Sequence, residues 1–237
     1  MSHHWSTRMG ITSRRIFLSV VLCTLAGILS YRTAMGQMAL YIHPRYELLV
    51  YGCALVVFLF GAVSWSSNAP LPRLSTIFLC IPVCIAVAFA PKPLGSAALV
   101  SQLGSLNAVV PATQPQARTT DTQQWNLYEW ALASTVDITP YAGSTAVVEG
   151  FVVQNDELGL PDDQFMVARY VLKCCTADAG GVGMRIAWGN ARQFRSDQWV
   201  RVSGTLAVES STGVPRPLIV ASSVVPIEQP GRPYLIP

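Results

Sequence analysis

Three apolar runs before residue 91 constrain this chain more than any other feature: Ile16 to Ser30, Leu48 to Ser64 and Leu74 to Ala90. Glu47 is the only acid before Asp121, whereas acids recur throughout the last third. With 51% hydrophobic and only 12% charged residues over 237 positions, the chain is too apolar for an ordinary soluble domain. The expectation is an α + β protein in separate domains, in which two or three N-terminal transmembrane helices precede a small all-β domain.

A helix crossing a bilayer core needs about 20 apolar residues, with roughly 17 as the lower limit. The second run, 48–64, meets that limit. The first must extend over 16–39 to do so, which brings Arg32 into the span or to its edge, where the long stem reaches the headgroups. The third, 74–90, carries Pro82, which predicts a kink that neighbouring helices must satisfy. Residues 1–15 read as a tail and 16–100 as the membrane region. Arg8, Arg14, Arg15 and Arg73 favour the cytoplasmic side against Arg32, Arg45 and Lys92. Three crossings from an inside start place the C-terminal domain outside the cytoplasm, in a multi-pass protein of the cell membrane. Ser13 to Leu18, SRRIFL, also resembles a twin-arginine export signal. No small-residue cleavage site follows Ser30, and two further apolar runs favour a retained anchor.

Between the first two runs, Tyr41 to Tyr46 reads YIHPRY. His43 is a candidate ligand or proton carrier, and Arg45 beside it is a candidate site residue. The competing reading is an interfacial turn, with Pro44 ending a helix and tyrosine rings at headgroup depth.

Residues 105–124 are rich in Ser, Thr, Gln, Ala and Pro and read as a flexible tether. A short amphipathic helix is expected over 125–140, from the spacing of Trp125, Tyr128, Glu129, Trp130 and Leu132, lying on the membrane or capping the next domain. From Thr145 the apolar period becomes two. Strands are expected at Thr145 to Val153, Phe165 to Cys174, Gly183 to Trp188, Trp199 to Val208 and Pro217 to Val225, with turn residues between them. Such spacing fits a small closed barrel of the oligonucleotide/oligosaccharide-binding (OB) type over 141–237, with Gly204 where a strand bends sharply. From Ala142 to Pro237 eight Lys or Arg face nine Asp or Glu, a net charge of −1. Phosphate neutralisation supplies most non-specific affinity, so nucleic acid is not expected as a partner.

Six cysteines fall into two sets. Cys23, Cys53, Cys80 and Cys84 lie in apolar runs, where a thiol behaves as a small hydrophobe; Cys80 and Cys84 share a helix face but have no acid or histidine beside them. Cys174 and Cys175 differ. In RYVLKCCTADAGGVG they precede Asp178, and Gly180, Gly181 and Gly183 are expected to bend the backbone around them. Three outcomes stay open: a metal site using Cys174, Cys175 and Asp178, with a residue such as His43 from elsewhere; a redox-labile vicinal disulfide; or one buried and one exposed thiol with Asp178 capping the turn. A divalent ion such as zinc is the expected cofactor of the first. No phosphate loop, GxSxG or HExxH is present, so an enzyme is not expected.

With these residues in view, the chain resembles the YcgQ-like family of bacterial membrane proteins. The resemblance rests on YIHPRY (41–46), PLGS (93–96), EGFV (149–152), ARYVLKCCTADA (168–179), QWVRVSGTL (198–206) and PGRPYL (230–235), and CC-x-ADA is its specific part. Arg169 enters as a candidate site residue through the fourth of these. The resemblance implies an anchor of a few helices, an OB-like second domain, and service as the accessory subunit of a permease, with a link to metal homeostasis. Arg32 and the long tether depart from it.

Overall fold

A computed structural model describes residues 3–66, 73–103, 121–209 and 216–237. The chain divides into two units, Met1–Lys92 and Pro93–Pro237.

In the first unit α1 (His3–Ala34) packs on α2 (Glu47–Ser66) and α3 (Arg73–Ala88). Small residues bring α1 and α2 together. Ser19 Oγ donates to the Gly61 carbonyl at 2.7 Å, and a Cβ on Gly61 would stand 3.0 Å from Cys23 Sγ. α2 is apolar on every face, yet only Ala54 and Gly61 are buried, while Leu48, Phe60 and Val63 are more than 60% exposed. A helix apolar all round is typical of a core or of a bilayer span. Segments Arg15–Ala34 and Pro44–Ser66 are long and apolar enough to cross a membrane.

The expected spans shift in detail. The first helix stops at Ala34, because Gly36 adopts a left-handed backbone (φ 69°) and Gln37–Leu40 continues as a 3-10 turn. The third run forms a 16-residue helix containing Pro82, about 24 Å long and short of a 30 Å core. Arg32 does not lie alone at the edge of a span. Its guanidinium donates to the carbonyls of Ala86 and, at 3.2 Å, Phe89, the free acceptors at the end of α3.

The second unit begins at Pro93, so 93–100 belongs with the barrel and not with the membrane region. Five strands, β1 (Thr145–Val153), β2 (Gln164–Val171), β3 (Gly180–Ala187), β4 (Trp199–Glu209) and β5 (Arg216–Pro226), close a barrel in the order β1-β2-β3-β5-β4. All pairs are antiparallel except β3 with β5. This five-stranded closed barrel is compatible with the OB type. Closure needs close backbone approach: a Cβ on Gly204 would stand 2.3 Å from the Val220 carbonyl oxygen, beside the register shift between Ser203 and Gly204.

The barrel interior holds Val148, Val152, Phe165, Val167, Ile186, Val202, Leu206 and Ile219. α5 (Leu127–Val136) joins this core through Leu127 and the fully buried Trp130, and Trp125 meets Trp130 edge to face at 4.8 Å. A capping box starts α5: Asn126 Oδ1 accepts the Tyr128 N–H and Glu129 Oε2 the Asn126 N–H. The expected helix therefore packs on the barrel. Residues 104–120, most of the expected tether, lie outside the described residues; its last stretch, Thr122–Gln124, is an ordered 3-10 turn.

A second buried cluster covers the outside of β1 and β2. It contains Phe151, Val153, Ala168, Tyr170, Leu172, Trp199, Tyr234 and Leu99 of α4 (Ser96–Leu103). Both faces of these strands are thus buried, which accounts for the near-continuous apolar runs where one-sided strands would alternate.

Candidate metal centre

The connection from β2 to β3 carries Cys174, Cys175 and Asp178. β2 ends at Val171, three residues earlier than the periodicity predicts, because Leu172 turns its N–H to the Leu235 carbonyl at 2.9 Å. The chain then makes one 3-10 turn, Thr176–Asp178. Gly180 and Gly181 do not form the bend. They open β3 and pair with Val171 and Tyr170, and Gly183 pairs with Ala168, where a Cβ would stand 2.7 Å from Met166 Sδ.

Asp178 makes the turn. Its Oδ1 accepts the Lys173 N–H at 3.0 Å, and its Oδ2 accepts those of Cys174 at 2.8 Å and Cys175 at 3.3 Å. One carboxylate thus satisfies three successive amides that have no strand partner. Desolvation pushes the Asp178 carboxyl up, but the Cys174 thiol and these three amides outweigh it and hold it below the usual carboxylate range. A depressed carboxyl stabilises the fold above its unfolded value, and that contribution is lost as pH falls through the lower, folded value.

Both thiols are free; Cys174 is exposed and Cys175 half-buried. Their sulfurs stand 3.7 Å apart. The Asp178 carboxylate, accepting the Cys174 S–H, and then the neighbouring Cys175 push the Cys174 thiol up to about 11. One ligand atom from each of Cys174, Cys175 and Asp178 lies within 4.8 Å of the others, and among the described residues these three form the cluster with metal-ligand chemistry.

His43 is not in that group. It lies in the first unit, 7% exposed, where its Nδ1 accepts the Arg45 N–H at 3.0 Å and Arg45 Nε at 3.3 Å, and it caps the turn Pro44–Tyr46. Arg45 also lies over the Tyr46 ring at 5.9 Å. Arg169 is equally occupied. Its Nε and Nη2 donate to the carbonyls of Pro233 at 2.9 Å and Arg232 at 3.0 Å, and its guanidinium lies 5.4 Å from the Trp199 ring. Burial lowers its pKa, against the opposing pull of Glu149.

The sequence did not point to what holds residues 94–96 against the barrel. Tyr170 Oη donates to the Gly95 carbonyl, the Leu94 N–H donates to Tyr234 Oη, and the Ser96 N–H donates to Asp197 Oδ1. A Cβ on Gly95 would stand 2.6 Å from Asp197 Oδ1, so a side chain there would displace the carboxylate that accepts the Ser96 N–H. The signal was PLGS and PGRPYL, two polar-punctuated segments far apart in sequence that meet on one side of the barrel.

No curated protein and no solved structure matches the chain. The DUF1980 C-terminal domain matches residues 112–237, a range that takes in α5, all five strands and the thiol turn. Because that match spans more than half of the 237 residues, the chain belongs to the DUF1980 family.

Proposed function

We propose that this protein is a membrane-anchored accessory subunit of a two-component permease of the YcgQ-like kind, and that Cys174, Cys175 and Asp178 form the point at which it captures or senses a metal ion. The observation that carries this reading is the convergence of two thiols and a carboxylate within 4.8 Å on an accessible turn. Soft sulfur donors beside a hard oxygen suit zinc and its neighbours, and at most three protein donors are offered where a closed structural zinc site takes four. The two apolar helices supply the anchor, and the OB-like barrel is the scaffold that presents the turn.

On this reading the barrel lies outside the cytoplasm, which requires α3 to cross the bilayer as well. The turn performs binding and orientation and no bond-breaking chemistry. Holding an ion there requires the thiol protons to leave, so uptake releases protons and weakens as pH falls.

The test uses the full chain in detergent under reducing conditions at neutral pH. Zinc titrated by calorimetry is expected to bind near one equivalent, and Cys174→Ser with Cys175→Ser to abolish it; absence of binding in the unsubstituted protein removes the metal role. A thiol redox module is the alternative outcome, recognised by a gain of two hydrogens in mass on mild reduction. Co-purification from membranes with metal analysis identifies the permease partner and the ion together.

A further inference from the structure

The two sulfurs are spaced in a way that says how an ion would be held. Around an ion with zinc–sulfur bonds of about 2.3 Å, two corners of a tetrahedron lie roughly 3.8 Å apart. Cys174 Sγ and Cys175 Sγ stand 3.7 Å apart, so they span one tetrahedral edge as they are.

Asp178 does not stand ready in the same way. Its two oxygens already accept the amides of Lys173, Cys174 and Cys175, and the turn Thr176–Asp178 depends on those bonds. Three of the four acceptor sites of the carboxylate are taken by amides, so only one is left for an ion, and turning the carboxylate to aim it would strain the bonds that position both sulfurs. Cys174 is exposed, so the outward side of the edge is open to solvent or to another protein.

We infer that Cys174 and Cys175 grip a tetrahedral ion by this one edge, that Asp178 is a positioning residue and not a ligand, and that the ion is carried with two coordination positions open to incoming ligands. This rests on the metal reading above and specifies its use as a hand-over site. An ion held by two sulfurs is transferred by ligand exchange: an incoming donor pair occupies the open positions, and the Cys174 and Cys175 thiolates then leave. No oxidation or reduction is involved, and each thiolate regains a proton from water on release.

The experiment loads the reduced full chain in detergent with one equivalent of cobalt(II) as a spectroscopic stand-in, and in parallel with zinc(II) for X-ray absorption. The expected result is two sulfurs per zinc, rising to four when a small dithiol is added in slight excess while the ion stays on the protein. Asp178→Asn leaves one acceptor oxygen for the three amides and loosens the turn, so affinity is expected to fall while the sulfur-to-cobalt charge-transfer bands and the two sulfurs per zinc are kept. A sulfur count that stops at three on dithiol addition in the unsubstituted protein but reaches four in Asp178→Asn makes Asp178 a ligand and overturns the inference. A sulfur count fixed at two in the presence of the dithiol overturns it even if that variant fails to fold. Both results leave metal binding intact. Absence of sulfur-to-cobalt bands in the unsubstituted protein removes the metal reading and this inference with it.

Discussion

The hydroxyl of Tyr170 donates to the carbonyl of Gly95 at 2.9 Å, joining the outer face of β2 to a segment 75 residues earlier in the chain. Tyr234 receives the neighbouring Leu94 N–H, so two tyrosines hold residues 94–96 over the second buried cluster. Burial raises the Tyr170 hydroxyl well above its ordinary value, followed by the influence of Tyr234 and Asp197, so it remains a donor throughout the working pH range.

Tyr170→Phe is therefore expected to cost about 0.5–1.5 kcal/mol, the net worth of one such bond, and Tyr234→Phe a similar amount. Because the two share one segment, the double variant should lose less than the sum. Denaturant unfolding followed by tryptophan fluorescence measures all three; a double variant that is strictly additive would contradict the shared latch.

The thiol turn has a pH signature of its own. Alkylation proceeds through the thiolate, and a thiol near 11 presents only about one part in a thousand of it at pH 8. Asp178 is the first cause of that elevation. Iodoacetamide labelling of Cys174 in metal-free protein, read by peptide mass, should be slow at pH 8 and rise through pH 10–11. Asp178→Asn should speed it at pH 8 by roughly tenfold. An inflection near pH 8.5 in the unsubstituted protein would show that the carboxylate does not hold the thiol proton.

Gly204 sits where β4 bends against β5. A methyl group there meets the Val220 carbonyl oxygen at 2.3 Å and Ala221 Cα at 2.8 Å, both backbone atoms that cannot step aside. Gly204→Ala should destabilise the barrel by about 1–3 kcal/mol, whereas Gly189→Ala, with open space around it, should change little. Thermal unfolding of the pair measures the contrast.

Trp130 tests whether the barrel can stand without the helix ahead of it. It is fully buried among interior residues of β1, β2 and β3, and Trp130→Ala should cost about 3–5 kcal/mol. A fragment beginning at Tyr141 lacks Trp125, Leu127 and Trp130 and should fail to give a cooperative transition, while one beginning at Pro93 should retain it.

Sidedness is open to direct measurement through Cys174, which is exposed. A membrane-impermeant maleimide applied to intact cells should label it if α3 completes a third crossing. Labelling only after permeabilisation would put the barrel in the cytoplasm and leave two crossings.

The apolar runs and the change of period at Thr145 were readable without coordinates, because a bilayer-length helix and a half-buried strand each write a local pattern of side-chain polarity. A strand forms near each of the five expected positions and β1 agrees at both ends, although β1 and β2 are buried on both faces and do not alternate. The thiol turn was visible as a cluster of donor types, since Cys174, Cys175 and Asp178 are neighbours along the chain. What local pattern did not carry is how Asp178 divides its oxygens: three amide donors compete for it only once Leu172 has turned to Leu235 and β2 has ended.

By itself the sequence determined that a lipid-compatible helical part precedes a small β domain bearing adjacent thiols, because composition and periodicity are properties of short stretches. Only the tertiary structure decided that residues 93–103 and the last residues of the chain cover the barrel, that Arg32 caps α3, and that the two sulfurs lie one tetrahedral edge apart. Those relations join positions tens of residues apart or depend on backbone torsions at a single turn, and both are settled by packing and hydrogen-bond competition in the folded chain.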